Sequence, residues 1–234
     1  MPLQLVTSPP ILIFGTLDGA EGEVWLKNGT GAPITVSKAD VTVTIGTPET
    51  GTITFADEPI TAGSIKRLVF RFGLNAFIAP ATYPAEVVLT TSAGALAIAA
   101  TLVVIKKFVL ELAEASTVFT GVAASTTYQG TVVAVNRGNA PVTVGQIPDE
   151  TVLEMVTMPR VLAIAPGGEV SVAPSGGLAP GGTATFTNTK PTINPGDWSE
   201  ITFDLTTPAA LDPHRHFRVL PRIATQRFVV DLLT

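Results

Sequence analysis

The 234-residue chain contains no cysteine, only two histidines and few charged residues. Without cysteine there is no disulfide framework, no thiolate metal site and no cysteine nucleophile. Charged residues make up 14% of the chain, compared with about 25% in an ordinary soluble domain. Apolar residues make up 46%, so burial can offset the entropy of ordering and disorder is excluded. The net charge of −5 argues against a nucleic-acid partner.

Long hydrophobic segments are also missing. The longest apolar run is Ala95–Ile105, which Lys106 and Lys107 end. A helix needs about 20 apolar residues to cross a bilayer, so this run predicts a buried strand rather than a membrane span. The first residues carry no Lys or Arg before their apolar stretch, unlike a secretory signal. We therefore expect cytoplasmic synthesis without membrane insertion, and the final location stays open.

Short runs rich in Val, Ile, Thr and Phe alternate with glycine and proline along the whole chain. Runs of 4–8 such residues with frequent turn signals are typical of antiparallel β-sandwiches. The strongest helical candidate is Leu153–Leu162, and Pro159 interrupts it. The sequence therefore predicts an all-β protein.

The two halves of the chain resemble each other, which indicates an internal repeat. Asn28–Val36 aligns without gaps with Asn136–Val144. Two further alignments place Ile60–Gly63 on Leu178–Gly181, and Pro80–Thr91 on Pro195–Thr207. We predict two tandem immunoglobulin-like antiparallel β-sandwiches, residues 1–106 and residues 107–234, the second including a C-terminal strand.

Residues of the shared motif have structural roles in this interpretation. The asparagine at the end of each first strand, Asn28 or Asn136, can bond to nearby backbone. Tyr83 and Trp198 follow proline-containing turns, and we expect each to bond back across a corner between the sheets, as in a tyrosine corner. Trp25 and Trp198 are both expected in core or corner positions.

These motifs resemble those of a known group of domains. In the second half they lie at Asn136–Val144, Leu178–Phe186 and Pro195–Thr207, and the pattern is similar to immunoglobulin-like domains of the abnormal-spindle/hydin type. It also resembles related bacterial domains found in tandem on surface and assembly proteins. The first half departs from the pattern at Gly31 and Ala62. The resemblance implies a scaffolding or binding role, and it implies no catalytic residue.

The C-terminal strand has two interpretations. Lys107–Leu112 opens the second half, and Arg227–Leu232 repeats its pattern at the end of the chain. The second segment either pairs within its own sandwich, or Phe228–Leu232 extends a sheet of a neighbouring subunit or partner. Residues 212–234 carry four arginines and two aspartates, whereas residues 108–211 are acidic. This uneven charge allows head-to-tail pairing of copies, or is simply an uneven solvated surface.

Candidate chemical groups are sparse. Asp212, His214 and His216 have the spacing of metal ligands on a strand, but Pro213 favours a turn, and we expect a solvated loop. Neighbouring carboxylates lie in turn-like stretches, where we expect them to be solvated rather than catalytic: Asp57 with Glu58, Asp149 with Glu150, and Asp197 with Glu200. Asn28–Thr30 matches a glycosylation sequon. We predict no catalytic, metal-binding or cofactor-binding residue and no cofactor.

Because so few residues are charged, we expect much of the surface to be covered by other proteins. The leading hypothesis is a non-enzymatic structural or accessory subunit of a phage-like particle, a surface layer or a membrane-bound complex. Its partners would be other proteins or copies of itself, with the C-terminal strand as one candidate contact. The alternative is a cell-surface or carbohydrate-binding adhesion module. Sugar sites expose aromatic rings, so the expected burial of both tryptophans favours the first hypothesis.

Overall fold

The computed structural model describes residues 3–45, 47–75, 77–155, 161–164, 170–172, 178–211 and 216–234. Side chains are described in these ranges except at 45, 47–58, 154–155, 161–164, 170–172 and 178–181. The chain forms two compact units. Unit 1 comprises Met1–Phe108 with Gly138–Ala140, and unit 2 comprises Val109–Arg137 with Pro141–Thr234.

The described strands of unit 1 are β1 (Leu3–Leu5), β2 (Ile11–Thr16), β3 (Gly19–Asn28), β4 (Ile34–Ile45), β5 (Thr47–Ile60), β6 (Ile65–Phe72), β7 (Thr82–Thr91) and β8 (Gly94–Val104). They are hydrogen-bonded in the order β1-β3-β2-β8-β7-β4-β5, and β6 pairs with β3. Alternating side chains on β3 are buried and exposed, as expected for a strand with one face on the core.

The described part of unit 2 has one eight-stranded sheet and three short two-stranded ladders. The strands of the large sheet are β9 (Leu110–Leu112), β10 (Ser116–Thr120), β11 (Thr127–Asn136), β13 (Glu150–Met155), β16 (Leu178–Asn188), β18 (Trp198–Thr206), β19 (His216–Val219) and β22 (Val229–Leu233). They lie in the order β10-β22-β19-β13-β16-β18-β11-β9. The short ladders pair β12 (Val142–Thr143) with β17 (Thr192–Ile193), β14 (Val161–Ile164) with β15 (Val170–Val172), and β20 (Arg222–Ile223) with β21 (Gln226–Arg227).

Each unit has its own hydrophobic core. Val24, Leu26, Val41 and Leu89 are fully buried in unit 1. In unit 2 an aromatic group surrounds Phe203, whose ring centroid lies between 5.6 and 6.3 Å from those of Phe119, Phe186 and Phe228. Burial of large apolar side chains is the main stabilising contribution in both units.

The prediction of an all-β fold with two immunoglobulin-like β-sandwiches is confirmed. One detail differs, because each unit contains one parallel pair among its antiparallel strands: β2 with β8 and β10 with β22. Of the helical candidate Leu153–Leu162, residues 153–155 belong to a strand, and residues 156–160 lie outside the described residues. No helix in the described ranges is long and apolar enough to cross a membrane.

The C-terminal strand pairs within its own unit, which is the first of the two interpretations that the sequence allowed. Val229–Leu233 lies between β10 and β19 of its own unit, so both of its edges are already paired. Its resemblance to Lys107–Leu112 is one of pattern rather than position, since Phe228 is fully buried and Phe108 is exposed. Two phenylalanines can therefore occupy matching positions in similar sequence segments although one is buried and the other is exposed.

Candidate functional site

The two asparagines of the shared motif occupy equivalent corners. Asn28 is fully buried at the end of β3, and its Nδ2 donates to the carbonyl oxygens of Ala32 and Ile60, both at 2.8 Å. Asn136 is fully buried at the end of β11, and its Nδ2 donates to the carbonyl oxygen of Ile193 at 2.9 Å. Because the Asn28 amide is enclosed and bonded, it is not an acceptor for a glycan in the folded chain.

Backbone hydrogen bonds at the two asparagine corners show that the two downstream alignments between the halves are wrong. The Gly63 N–H donates to the Asn28 carbonyl at 2.9 Å, and the Gly196 N–H donates to the Asn136 carbonyl at 2.9 Å. Both glycines have positive φ, 71° and 79°. The structural counterpart of Ile60–Gly63 is therefore residues 193–196 and not Leu178–Gly181, and β6 corresponds to β18.

The alignment of Pro80–Thr91 with Pro195–Thr207 is wrong for the same reason. Pro80–Thr91 contains β7, which pairs with β4 and β8, whereas β18 pairs with β11 and β16. Both segments read as a proline turn followed by an alternating strand, so sequence pattern alone could not separate them.

The corner prediction is confirmed for Tyr83 and wrong for Trp198. The Tyr83 hydroxyl donates to the carbonyl of Ala79 at 2.7 Å. Trp198 is 52% exposed, and the Lys190 ammonium lies 5.6 Å from its ring centroid. Trp25 is also exposed, at 41%. The expected burial of both tryptophans is therefore wrong, and it no longer argues against binding through aromatic rings.

A cluster of exposed apolar and charged side chains in unit 1 lies on one face of β2, β3 and β6. Strand register places Phe14 beside Glu21, Glu21 beside Arg71, and Trp25 beside Arg67. Side chains directly opposite one another point to the same side of a sheet. We call this surface the outer face, and it consists of Leu12, Phe14, Glu21, Glu23, Trp25, Arg67, Val69 and Arg71.

Hydrogen bonds fix the polar groups of the outer face. The Arg67 Nε donates to Glu23 Oε2 at 2.7 Å, and the indole Nε1 of Trp25 donates to Glu23 Oε1 at 3.2 Å. The hydrogen bond from Arg67, with that from Trp25, lowers the pKa of Glu23. Arg71 Nε donates to Glu21 Oε2 at 2.6 Å. Solvent screens exposed ion pairs of this kind, so they add little to stability. Their main effect is to orient Trp25 and to pair each of the two carboxylates with an arginine.

Two adjoining grooves cross this face. The larger, of about 710 Å³, lies between the Thr7–Pro10 segment, β2 and β3, and Leu12, Phe14 and Glu23 contribute to its lining. The smaller, of about 450 Å³, continues towards Arg71 and shares Phe14 and Glu21 with the first. The grooves form where the chain passes from β1, which pairs with the end of β3, to β2, which pairs with its start.

The candidate metal and acid–base residues do not assemble into a site in the described part of the chain. Asp212 and His214 lie outside the described residues, as do the side chains of Asp57 and Glu58. His216 Nε2 lies 2.7 Å from Asp231 Oδ1, and Arg218 Nε donates to that same oxygen at 2.6 Å. No group of three or more potential metal ligands occurs among the described residues.

The remaining carboxylates are dispersed. Asp149, Asp197 and Glu200 are exposed, and Glu150 is half-buried on β13. Asp149, Asp197 and Glu200 are therefore in contact with solvent. The carboxylates of the outer face, Glu21 and Glu23, were not singled out by the sequence analysis.

Sequence reasoning also missed a pair of glycines. A Cβ on Gly22 would lie 2.6 Å from Phe70 Cζ, and a Cβ on Gly130 would overlap the Phe203 ring. Extending the alignment backwards from Asn28 and Asn136 places these glycines together, six residues before each asparagine. Extending the alignment in this way is the signal in the sequence that points to both glycines.

Comparisons with known proteins identify no family. No protein-family model and no curated protein matches the chain. Among solved structures, it is similar to a protein of unknown function from Porphyromonas gingivalis W83, at 12% identity and a TM-score of 0.29, with both chains fully covered. It is also similar to the Pseudomonas aeruginosa CupB2 chaperone, at 8% identity and a TM-score of 0.29, covering 97% of this chain and 98% of that one.

A third similar structure is the ASH / PapD-like domain of human CEP192, at 12% identity and a TM-score of 0.27. It covers 53% of this chain and 84% of that domain. Likenesses at this level carry no argument about family or function, so the functional proposal depends on the surface of the chain itself.

Proposed function

We propose that the chain is a non-enzymatic structural or accessory subunit that binds a partner protein through the outer face of unit 1. The observation that carries the proposal is the grouping of exposed Leu12, Phe14, Trp25 and Val69 on adjacent strands beside two arginines. Protein interfaces are enriched in aromatic residues and arginine, and their binding energy concentrates in Trp, Tyr and Arg.

The bonds that hold Trp25 in place before any partner binds support the same role. Trp25 is held at both ends: its indole bonds to Glu23, and its backbone N–H donates to Thr7 Oγ1 at 3.1 Å. A side chain ordered before binding loses less entropy on association. The narrower likeness to abnormal-spindle/hydin domains remains a prediction, and the buried asparagine corners are compatible with it.

The test compares two sets of exposed aromatic residues. The double substitution Phe14→Ala with Trp25→Ala removes the rings of the outer face, and Trp198→Ala removes an equally exposed ring of unit 2 as a matched control. An aromatic hot spot contributes about 2 kcal/mol, which corresponds to about 30-fold in affinity. We expect the double variant to lose the complex formed in the native host while the control retains it. A complex that both variants retain would overturn the proposal.

Carbohydrate binding is the second candidate, and the exposure of Trp25 favours it. The ring stands beside carboxylates that arginines already neutralise, so the face is polar without strong charge and matches a neutral polyhydroxyl ligand. Trp198→Phe leaves Trp25 as the sole tryptophan. Saturable quenching of its fluorescence by a neutral oligosaccharide would support this candidate, and unchanged emission at millimolar concentrations of common oligosaccharides would count against it.

A further inference from the structure

Strand β6 of unit 1 has one strand neighbour, whereas its counterpart in unit 2 has two. Within the described strands, β6 pairs with β3 alone. Strand β18 pairs with β11 on one side, as β6 does with β3, and with β16 on the other. The matched bonds at Asn28 and Asn136 establish that β6 and β18 are equivalent.

Unit 2 shows what a strand contributes in this position. β16 pairs antiparallel with β18 from Thr183↔Thr206 to Asn188↔Ile201. Ala184 is fully buried, and the Phe186 ring lies 5.6 Å from Phe203. Thr185 is exposed between these inward positions. A strand here thus directs alternate apolar side chains into the core and uncharged polar ones to solvent.

In unit 1 the corresponding segment is β5, which pairs with β4 from Ile34↔Ile60 to Ile45↔Thr47, as β16 pairs with β13. The end of β5 lies beside the start of β6, where Lys66 Nζ donates to the carbonyl oxygen of Pro59 at 3.3 Å, but the described residues of the two strands form no ladder. Leu68 and Phe70 of β6 face the core, and Arg67 and Arg71 face outwards. A strand added beside β6 would extend the outer face by one strand.

Charge favours a different protein over a second copy as the occupant. β6 contains three basic residues, Lys66, Arg67 and Arg71, and no acidic residue. Arg67 and Arg71 are paired with Glu23 and Glu21 of β3, but a β6 strand from another copy would bring further basic side chains and no carboxylate of its own, which disfavours pairing of the two edges. An uncharged or acidic strand avoids this arrangement and can make a second contact with Arg71, whose side chain is 77% exposed.

We propose that β6 accepts an extended segment of a partner protein by antiparallel strand addition. The segment alternates small or aromatic apolar residues, directed inwards, with uncharged or acidic residues, directed outwards. The inference rests on the proposed protein-binding function and names its mode, since backbone hydrogen bonds to β6 would accompany side-chain contacts on the outer face.

The experiment uses the full-length chain and three synthetic peptides. The first has the sequence of residues 181–188, the second replaces its outward threonines with aspartate, and the third is a scrambled version of the first. Residue-resolved hydrogen exchange is measured across β6. We expect the first two peptides to slow exchange at alternate residues of β6 by at least tenfold, because every second amide of an edge strand points outwards. We also expect the aspartate peptide to bind more tightly than the first peptide.

Arg71→Gln provides the matched variant, since its ion pair with Glu21 is exposed and dispensable for folding. It should reduce the affinity of the aspartate peptide more than that of the first peptide. Three results would overturn the inference: no protection of β6 by any peptide at millimolar concentration, equal protection by the scrambled peptide, or protection that rises with protein concentration alone. If the peptides fail while Phe14→Ala with Trp25→Ala still abolishes the native complex, strand addition is wrong and the proposed function stands.

Discussion

Substitution of Gly22 by alanine tests the packing of unit 1 most directly. The added Cβ would lie 2.6 and 2.7 Å from two atoms of the Phe70 ring and 3.1 Å from Ile13 Cγ1. Phe70 and Ile13 are both buried in the core, so neither has free space to move into. Overpacking of this kind costs about 1–3 kcal/mol. We therefore expect Gly22→Ala to lower the free energy of unfolding by about 2 kcal/mol, even though alanine restricts the unfolded chain more than glycine.

The assay is denaturant unfolding of the full chain, with Gly73→Ala as the matched control. A Cβ at Gly73 meets no atom within 4 Å, so that substitution should change stability by no more than about 0.5 kcal/mol. Phe70→Leu should make room for the new methyl group, giving a favourable coupling of about 1 kcal/mol in a double-mutant cycle. Equal stability of the Gly22 and Gly73 variants, or no coupling with Phe70→Leu, would refute the packing argument.

Three further substitutions have expected outcomes. Asn28→Ala removes the side-chain donor to the buried carbonyl of Ile60, whereas the exposed Ala32 keeps a bond from Thr30, so thermal unfolding should show a loss of about 1–3 kcal/mol; wild-type stability would contradict the corner role. Tyr83→Phe removes one partly exposed hydrogen bond and should cost about 1 kcal/mol, measured by the same method; no loss would remove Tyr83 as a corner residue. Burial raises the pKa of Asp231, but hydrogen bonds from Arg218 and His216 outweigh it, and the net shift is downwards. Its contribution to stability is therefore present above about pH 4 and lost as the pH falls through the lowered pKa. Acid unfolding of Asp231→Asn should depend less on pH in that range, and an unchanged profile would contradict this.

Much of the fold could be predicted from local patterns. Period-two alternation along Glu23–Asn28 and the runs of β-branched residues identify strands, because a strand with one face on the core must alternate. The asparagine corners and Tyr83 were also accessible, since their roles depend on nearby backbone. The downstream alignments failed because turn-and-strand patterns recur in every strand of a sandwich, and only long-range bonds such as Asn28 to Ile60 distinguish them.

The outer face could not be predicted in the same way. The sequence predicts a core or corner position for Trp25, but an alternating strand does not reveal by itself which of its faces meets the core. The pairing of Glu23 with Arg67 joins residues 44 positions apart, and only the register of β3 with β6 brings them together. The candidate site therefore required the tertiary structure.

The central claim is that the outer face of unit 1 binds a protein, and one comparison in the native host tests it. The masses of complexes containing the wild-type chain, the Phe14→Ala/Trp25→Ala variant and the Trp198→Ala variant are measured by light scattering after size exclusion. We predict a defined complex for the wild type and for Trp198→Ala, and a folded monomer, slightly lighter than the 24.3 kDa wild-type chain, for the double variant. A double variant that stays in the complex, or a wild-type chain that is itself monomeric in the host, would contradict the account.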